Sequence, residues 1–387
     1  MKLNVYLNTY GSRKFVGVLE DIGAKIYFQY APEFIKEGIE ISPFKLPLQE
    51  RVFEGDNSIF GGLFGVFNDS LPDGWGCLLL DRKLQKQGLS FNSIRPLHRL
   101  SMVGNNPMGA LEYEPSEDID DMPDVNLDFL AQDAKKILLD KSNNGLDELL
   151  KLNGSSGGAR PKIVALVSND KKTILSPSKD FPDNFSHWLI KFSNTQDDKN
   201  LGVQEYVYSL IAKDAGIEMP ETYLFPSQIS SGYFGVKRFD RVGNQKVHTH
   251  TACGLLNADF RVSSMDYTNL LKLTFVLTKD IKEVEKMVRL MIFNVKAGNK
   301  DDHTKNFSYL IDRNNNWKLA PAYDLTPSFG INGEQTTMVN GKGKDITNDD
   351  FITVASEFDI DKQKVCEMIE AVDNSLSNYE KLMKQYK

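Results

Sequence analysis

Cysteine is scarce in this chain: three in 387 residues, at 77, 253 and 366, with no CxxC pair. That spacing excludes a disulfide framework and argues against a structural zinc site, since both need clustered thiols. Small buried or partly buried thiols in a reducing compartment are the plain reading. Histidine is also sparse. His303 is the only one in an acidic cluster, because His98, His187, His248 and His250 fall in other segments. A histidine-rich metal site, whose ligands sit at short spacing, is therefore not expected. No apolar run approaches the roughly 18 residues of a membrane span. The opening stretch MKLNVYLNTYGSRKF alternates like a strand and lacks the apolar core of a signal peptide. A cytoplasmic protein without membrane contact is expected. Positive excess is missing too: 46 Lys and Arg stand against 53 Asp and Glu, for a net charge of -7. Such a chain is not built mainly to neutralise a phosphate backbone, so contact with DNA would come through a partner.

What is present reads as an α+β protein of two or three domains. Residues 1–118 hold β-rich runs (KLNVYLN, FVGVLE, KIYFQY) parted by Gly-containing turns, then a Pro-Asp-Gly turn and an amphipathic helix through Leu78, Leu79, Leu80 and Leu84. The acidic, proline-containing EPSEDIDDMPD marks a linker. Residues 119–240 form a lobe in which strands predominate, with helices at LDFLAQDAKKILLD and VQEYVYSLIAKDAG. Residues 241–387 are mostly helical, with helical spacing at NLLKLTFVLT, IKEVEKMVRLMIFNVKAG and DKQKVCEMIEAVDNSLSNYEKLMKQYK, and a hairpin at FSYLIDRNNNWKLAPAYDL.

Phosphoryl transfer from ATP needs few protein parts: flexible backbone over the phosphates, a lysine, a carboxylate base and oxygen ligands for magnesium. The chain offers each in order. GSSGGARPK supplies Gly157 and Gly158, then cationic Arg160 and Lys162. Lys191 ends a strand, as a kinase phosphate-holding lysine does, and Glu205 follows in the next helix. Asp301 and Asn306 stand in Asp-x4-Asn spacing, and Asp324 follows a hairpin. Singly, each part has a plainer explanation. Glycine marks turns, strand lysines are mostly solvated, and an Asp near a helix end is mostly a cap. Their order along the chain carries the weight. Asp302 reads as solvated or capping rather than catalytic.

The segments SLPDGWG, GALEY, GGARPK, DDHTKNFS, APAYDLTPS and VNGKGKDIT, in that order, resemble the HipA family of bacterial serine/threonine kinases, many of them toxins of toxin–antitoxin systems. The resemblance implies a bilobal phosphatidylinositol/protein-kinase-like fold with a small β-rich N-terminal domain. It implies Asp301 as catalytic base, Asn306 and Asp324 as magnesium ligands, and Lys191 as the lysine on the phosphates. The stretch Gly157, Gly158, Ala159, Arg160, Pro161, Lys162 corresponds to the family's phosphate loop. KRFDR corresponds to the strand linking the lobes, so Lys237, Arg238 and Phe239 would border the adenine. The family's usual acidic residue is Lys237 here, which leaves that contact to the main chain. His303 and Tyr323 would lie near the nucleotide.

The resemblance also implies autophosphorylation, at Ser155 by its offset from Lys162, with Ser156 adjacent. Phosphate there would compete with ATP for the same donors. ATP and magnesium are the implied cofactors. A helix-turn-helix antitoxin is the implied partner and brings any DNA contact. The implied substrate is a protein, with an aminoacyl-tRNA synthetase as the family's example. A corepressor subunit without needed catalysis, or a small-molecule kinase on the same fold, are the competing expectations.

Overall fold

The structure is a computed structural model that describes residues 1–90, 93–116, 125–139, 145–153, 158–177, 181–194, 198–260 and 265–387. Two compact units emerge: Met1–Gly202 with Tyr223–His250, and Val203–Thr222 with Thr251–Lys387. The helix Leu201–Asp214 thus clusters largely with the second unit, although the sequence groups it with the β-rich lobe. The mixed α+β class is as expected. Among the described residues, no helix is long and apolar enough to cross a membrane.

The first unit contains two five-stranded sheets among the described residues, besides the short ribbon Arg241–Val242/Gln245–Lys246. In the N-terminal one, β1 (Lys2–Thr9), β2 (Ser12–Ile22), β3 (Lys25–Tyr30), β4 (Val52–Glu54) and β5 (Leu111–Glu114) run in the order β4-β3-β2-β1-β5. Alternation puts Leu3, Val5 and Leu7 of β1 on the buried face with Leu19 and Phe28. Gly17 is required, because a Cβ there would stand 2.1 Å from the Gln29 carbonyl oxygen. The second sheet has β6 (Lys162–Ser168), β7 (Ile174–Leu175), β8 (Phe185–Lys191), β9 (Thr222–Phe225) and β10 (Tyr233–Lys237), in the order β7-β6-β8-β10-β9. Every residue of β6 is buried, which accounts for its unbroken apolar run IVALV. Leu130, Ala134 and Ile137 of the helix Leu127–Leu138 share a core with Ile163, Ala165, Trp188 and Ile190, joined by Trp75 and Leu79 from the helix Gly74–Lys86.

Buried charge ties this unit together. Asp240 accepts from Arg238 at 2.7 Å, from Arg241 at 2.8 Å and from the Gly109 amide at 2.7 Å. Both guanidiniums also donate to the Pro107 carbonyl. Burial would raise the Asp240 carboxyl, but the two arginines outweigh it and hold it well below the usual carboxylate range. Ser42, His250 and Asp69 form a second strut, with Oγ to Nε2 at 2.9 Å and Nδ1 to carboxylate at 2.6 Å. The order resembles a hydrolytic triad, yet Ser42 is 1% exposed, so no substrate reaches its hydroxyl. His248 bonds to the Ile41 carbonyl at 2.9 Å, so neither strand histidine presents a metal-ligand pair.

The second unit is built on the helix Ile281–Lys296, whose Val284, Met287, Val288, Met291 and Ile292 are buried. It packs against the helices Tyr267–Thr278, Asn348–Ser356 and Lys362–Leu376. Asp280 caps it by accepting from the Lys282 amide at 3.0 Å. Glu283, buried in its first turn, accepts from the Leu319 amide at 2.9 Å. That fastens the hairpin Ser308–Ile311/Trp317–Leu319 to the helix. The hairpin turn is made by Asp312, which accepts from the amides of Asn314 and Asn316 at 2.8 and 2.9 Å.

Removing one member of a buried ion group leaves the others uncompensated, at a cost of about 3–5 kcal/mol, whereas an exposed pair contributes about 0–1 kcal/mol. Asp240→Ala is therefore expected to lower the thermal midpoint sharply. Glu37→Ala, which breaks the exposed Lys14–Glu37 pair, should leave it nearly unchanged. Equal midpoints for the two variants would contradict this account.

Candidate active site

The helix Ile281–Lys296 ends at Ala297, and Gly298 turns the chain at φ +70°. Asn299 follows and is 2% exposed. Its Nδ2 donates to Asn294 Oδ1 and to the backbone carbonyl of Asp324, both at 3.0 Å. Its Oδ1 accepts from the Asp301 amide at 3.3 Å. One buried amide therefore joins the main chain at 301 to the main chain at 324. The carboxylate of Asp301 stays outside, with its side chain 68% exposed and His303 Nε2 at 3.9 Å. Asn306 closes the loop from the far end, its Nδ2 donating to the Asp301 carbonyl at 2.7 Å. An amide nitrogen fixed this way turns Oδ1 to the opposite side of the group. Asp324 sits at φ +53°, a left-handed conformation that Asp and Asn tolerate better than other side chains with a Cβ.

Asp302 is not solvated, contrary to the reading of the sequence. It is fully buried, and its carboxylate accepts from Tyr267 Oη at 2.8 Å, Gln335 Nε2 at 3.2 Å and the Thr337 amide at 3.1 Å. Gln335 also donates to the Asn299 carbonyl at 2.9 Å, and Asn294 donates to Tyr267 Oη at 2.9 Å. The loop thus rests on a continuous polar network. Tyr323 braces its other side: Oη donates to the Lys305 carbonyl at 2.7 Å and lies 2.6 Å from Ser308 Oγ. His303 packs against Phe260 at 5.2 Å between ring centroids, and Lys305 Nζ lies 4.8 Å from the same ring.

In the first unit the expected phosphate loop is described from Gly158 onward. Ser155, Ser156 and Gly157 lie outside the described residues. Gly158 takes φ +91°, and a Cβ there would meet Lys162 Nζ at 2.5 Å. The loop therefore folds back over Lys162, which is 4% exposed. Lys162 and Lys191 are direct partners in the β6–β8 register. Two cations opposite each other on one sheet face repel unless an anion stands by. Lys191 Nζ also lies 5.7 Å from the Phe234 ring.

A neighbour of this loop was missed by the sequence reading. SLPDGWG starts the helix Gly74–Lys86, and its Asp73 makes no side-chain cap bond there. Instead its carboxylate accepts from the Gly158 amide at 3.4 Å, and the Trp75 amide donates to the Gly158 carbonyl at 3.3 Å. A Cβ on Gly74 would stand 2.9 Å from Ala159 Cα. The glycines of one motif let the backbone of the other approach; their shared Gly content was the available signal.

Lys237 and Phe239 are half-buried, at the end of β10 and just beyond it. Arg238 is different. Its guanidinium is committed to Asp240 and Pro107 in the interior, and its amide donates to the His187 carbonyl at 2.8 Å. The side chain is thus placed in the core, not on a nucleotide surface.

Residues 154–379 match the family model for the HipA-like C-terminal domain, and residues 3–114 that for the HipA N-terminal domain. The chain belongs to the HipA family. Its fold matches a chain of the Shewanella oneidensis complex of the toxin–antitoxin system HipA, HipB and operator DNA. The TM-score is 0.70 at 15% identity, covering 99% of this chain and 90% of that one. It is 26% identical over 303 residues to "Putative kinase Y4dM" of Sinorhizobium fredii, spanning 73% of this chain and 69% of that protein. It is 27% identical over 185 residues to a "Putative kinase" of Haemophilus influenzae, covering 44% of this chain and about half, 52%, of that protein.

Burial raises the Asp302 carboxyl to about 6 against the bonds that favour its charged form. Between that value and the unfolded one near 4, the folded loop binds the extra proton, so its stability falls as pH rises through this window. His187 and His248 in the first unit work oppositely: burial lowers them to about 3 and about 4, and their contribution is lost as pH falls below roughly 6.5. Hydrogen exchange resolved by segment is expected to show stronger protection around residues 299–337 at pH 5 than at pH 7, a gain that Asp302→Asn abolishes. An unchanged gain in that variant would refute the assignment.

Proposed function

We propose that this protein is an ATP- and magnesium-dependent kinase that transfers the γ-phosphoryl group to a serine or threonine hydroxyl of a protein. The observation that carries the proposal is the Asn299 amide, which holds the main chain of Asp301 and Asp324 together while the Asp301 carboxylate stays open to an acceptor. Relatives named as kinases in two bacteria support the same reading.

In this reading Asp301 accepts the proton of the attacking hydroxyl and aligns its oxygen. The oxygen bonds to the γ-phosphorus as the bond to the leaving ADP oxygen breaks. The Gly158–Lys162 backbone, Lys162 and Lys191 hold the phosphates, and Lys237 and Phe239 border the base. Asn306 and Asp324 supply a neutral and an anionic oxygen, the hard donors magnesium takes alongside phosphate oxygens and water. Magnesium, when bound, neutralises charge on the transferring phosphates. Among the described residues no group of three or more His, Cys, Asp or Glu is arranged to hold a metal, so a shared site with the nucleotide suits this donor set best. Most of the rate gain comes from positioning and fixed charge.

The regulatory reading follows the same logic. Ser155 is the proposed autophosphorylation site, and a HipB-like helix-turn-helix protein is the proposed partner, carrying DNA contact for a chain of net charge -7. An aminoacyl-tRNA synthetase is the first protein substrate to test.

Asp301→Asn is expected to reduce phosphoryl transfer roughly a hundred- to ten-thousand-fold without lowering the melting temperature, because the carboxylate is exposed. Asp324→Asn should act alike, since Asn accepts the left-handed backbone. Normal turnover in either would refute the assignment. Mass spectrometry after incubation with ATP should find phosphate on Ser155, absent in the Asp301→Asn protein; modification confined to other residues would count against Ser155.

A further inference from the structure

The chain leaving Asp324 carries the two most exposed large apolar side chains among the described residues. Phe329 is 94% and Ile331 70% exposed, against 58% for the next, Val52. They stand on a fixed support. The Ser328 amide donates to the Gly298 carbonyl at 3.0 Å, and Ser328 Oγ accepts from the Lys300 amide at 2.9 Å. Thr336 returns the chain to the Lys300 carbonyl, with its amide at 3.2 Å and Oγ1 at 2.8 Å. Between these anchors Gly330 at φ +62° is obligatory, since a Cβ would stand 2.2 Å from the Glu334 carbonyl oxygen and 2.8 Å from Lys300 Cβ. The display is thus bonded on both sides to the residue preceding the Asp301 carboxylate.

Charge flanks it. Lys300 Nζ lies 3.9 Å and Lys344 Cε 3.8 Å from where a Cβ on Gly333 would stand. Lys344 pairs with Glu334 at 3.5 Å, whereas Lys300 has no ion-pair partner among the described residues. Two side chains two positions apart cover far less than the roughly 800 Å² per partner that a stable protein interface buries. They suit a short segment better than a second folded copy.

We propose that Phe329 and Ile331 dock an extended peptide segment of the protein acceptor. That segment bears a large apolar side chain near the hydroxyl presented to Asp301 and an acidic residue facing Lys300. The proposal rests on the kinase reading and names its substrate class.

The test uses the full chain with ATP and a positional-scanning library of serine-centred peptides. The wild-type protein is expected to select a large apolar residue at one position and Asp or Glu at another. The double variant Phe329→Ser/Ile331→Ser should raise KM for the best peptide about tenfold or more, the loss of one buried apolar side chain. KM for ATP, kcat and melting temperature should stay unchanged. Lys300→Glu should replace the acidic preference by a basic one. Phosphorylation without positional preference, or a preference that survives in the double variant, would overturn the docking proposal alone. So would a wild-type dimer in sedimentation that the double variant dissolves while peptide KM holds. No transfer to any peptide or to the chain itself would instead sink the kinase reading, and the docking with it.

Discussion

The second unit depends on an amide that never meets solvent. Asn299 uses both N–H groups and its oxygen, reaching Asn294, Asp324 and Asp301. No other neutral side chain of that length offers two donors and an acceptor in one plane. Were it lost, the Asn294 amide oxygen, the Asp324 carbonyl and the Asp301 amide would each lose this bond, and a buried polar group left unpaired costs about 1–3 kcal/mol. The same substitution would free the segments at 301 and 324 to drift apart. Stability and geometry here have a single cause, and the surrounding network extends it: Tyr267, Asp302 and Gln335 complete a closed set of donors and acceptors. Closed polar networks of this kind specify one arrangement, because any alternative leaves a member unsatisfied.

The first unit places two cations side by side. Lys162 and Lys191 face each other across β6 and β8, and the chain bends over Lys162 at Gly158. The helix beginning at Gly74 supports that bend from behind through Asp73 and Trp75. A one-residue slip of β6 against β8 would turn every side chain over, so the register that sets Lys162 opposite Lys191 is fixed along with the core. The two lysines are thus held opposite each other by the strands that carry them.

Much of this was legible in the sequence, and the misses share a cause. Local patterns gave the helices at 127–138, 267–278 and 281–296, the early strands, and the spacing of Asp301, Asn306 and Asp324. The helix Asn348–Ser356 was not foreseen, and the long C-terminal helix proved to be two, broken at Ser377 and Asn378. Periodicity does not report such breaks, because apolar spacing continues across a short turn between two helices. The burial of Asp302 was missed because its partners are Tyr267, Gln335 and Thr337, each more than 30 residues away. Likewise KRFDR looks like a solvated charge run until Asp240 is seen between two arginines. Charged residues that satisfy one another inside a protein are indistinguishable, in one dimension, from charged residues that face water.

The segment from Asp324 to Gly333 turns repeatedly through left-handed backbone. Asp324, Gly330, Asn332 and Gly333 all adopt positive φ, at +53°, +62°, +56° and +73°. Left-handed conformations at residues bearing a Cβ cost of order 1 kcal/mol each and persist only where surroundings over-determine them. Here Gln335 and Thr337, both buried, hold the far end of this segment, and Asn299 and Lys300 hold the near end. Without those anchors the segment would relax toward ordinary turns and draw Phe329 and Ile331 toward apolar cover. Their exposure is therefore a product of the same buried bonds that place Asp301. One network both aims a carboxylate outward and keeps an apolar surface beside it from collapsing.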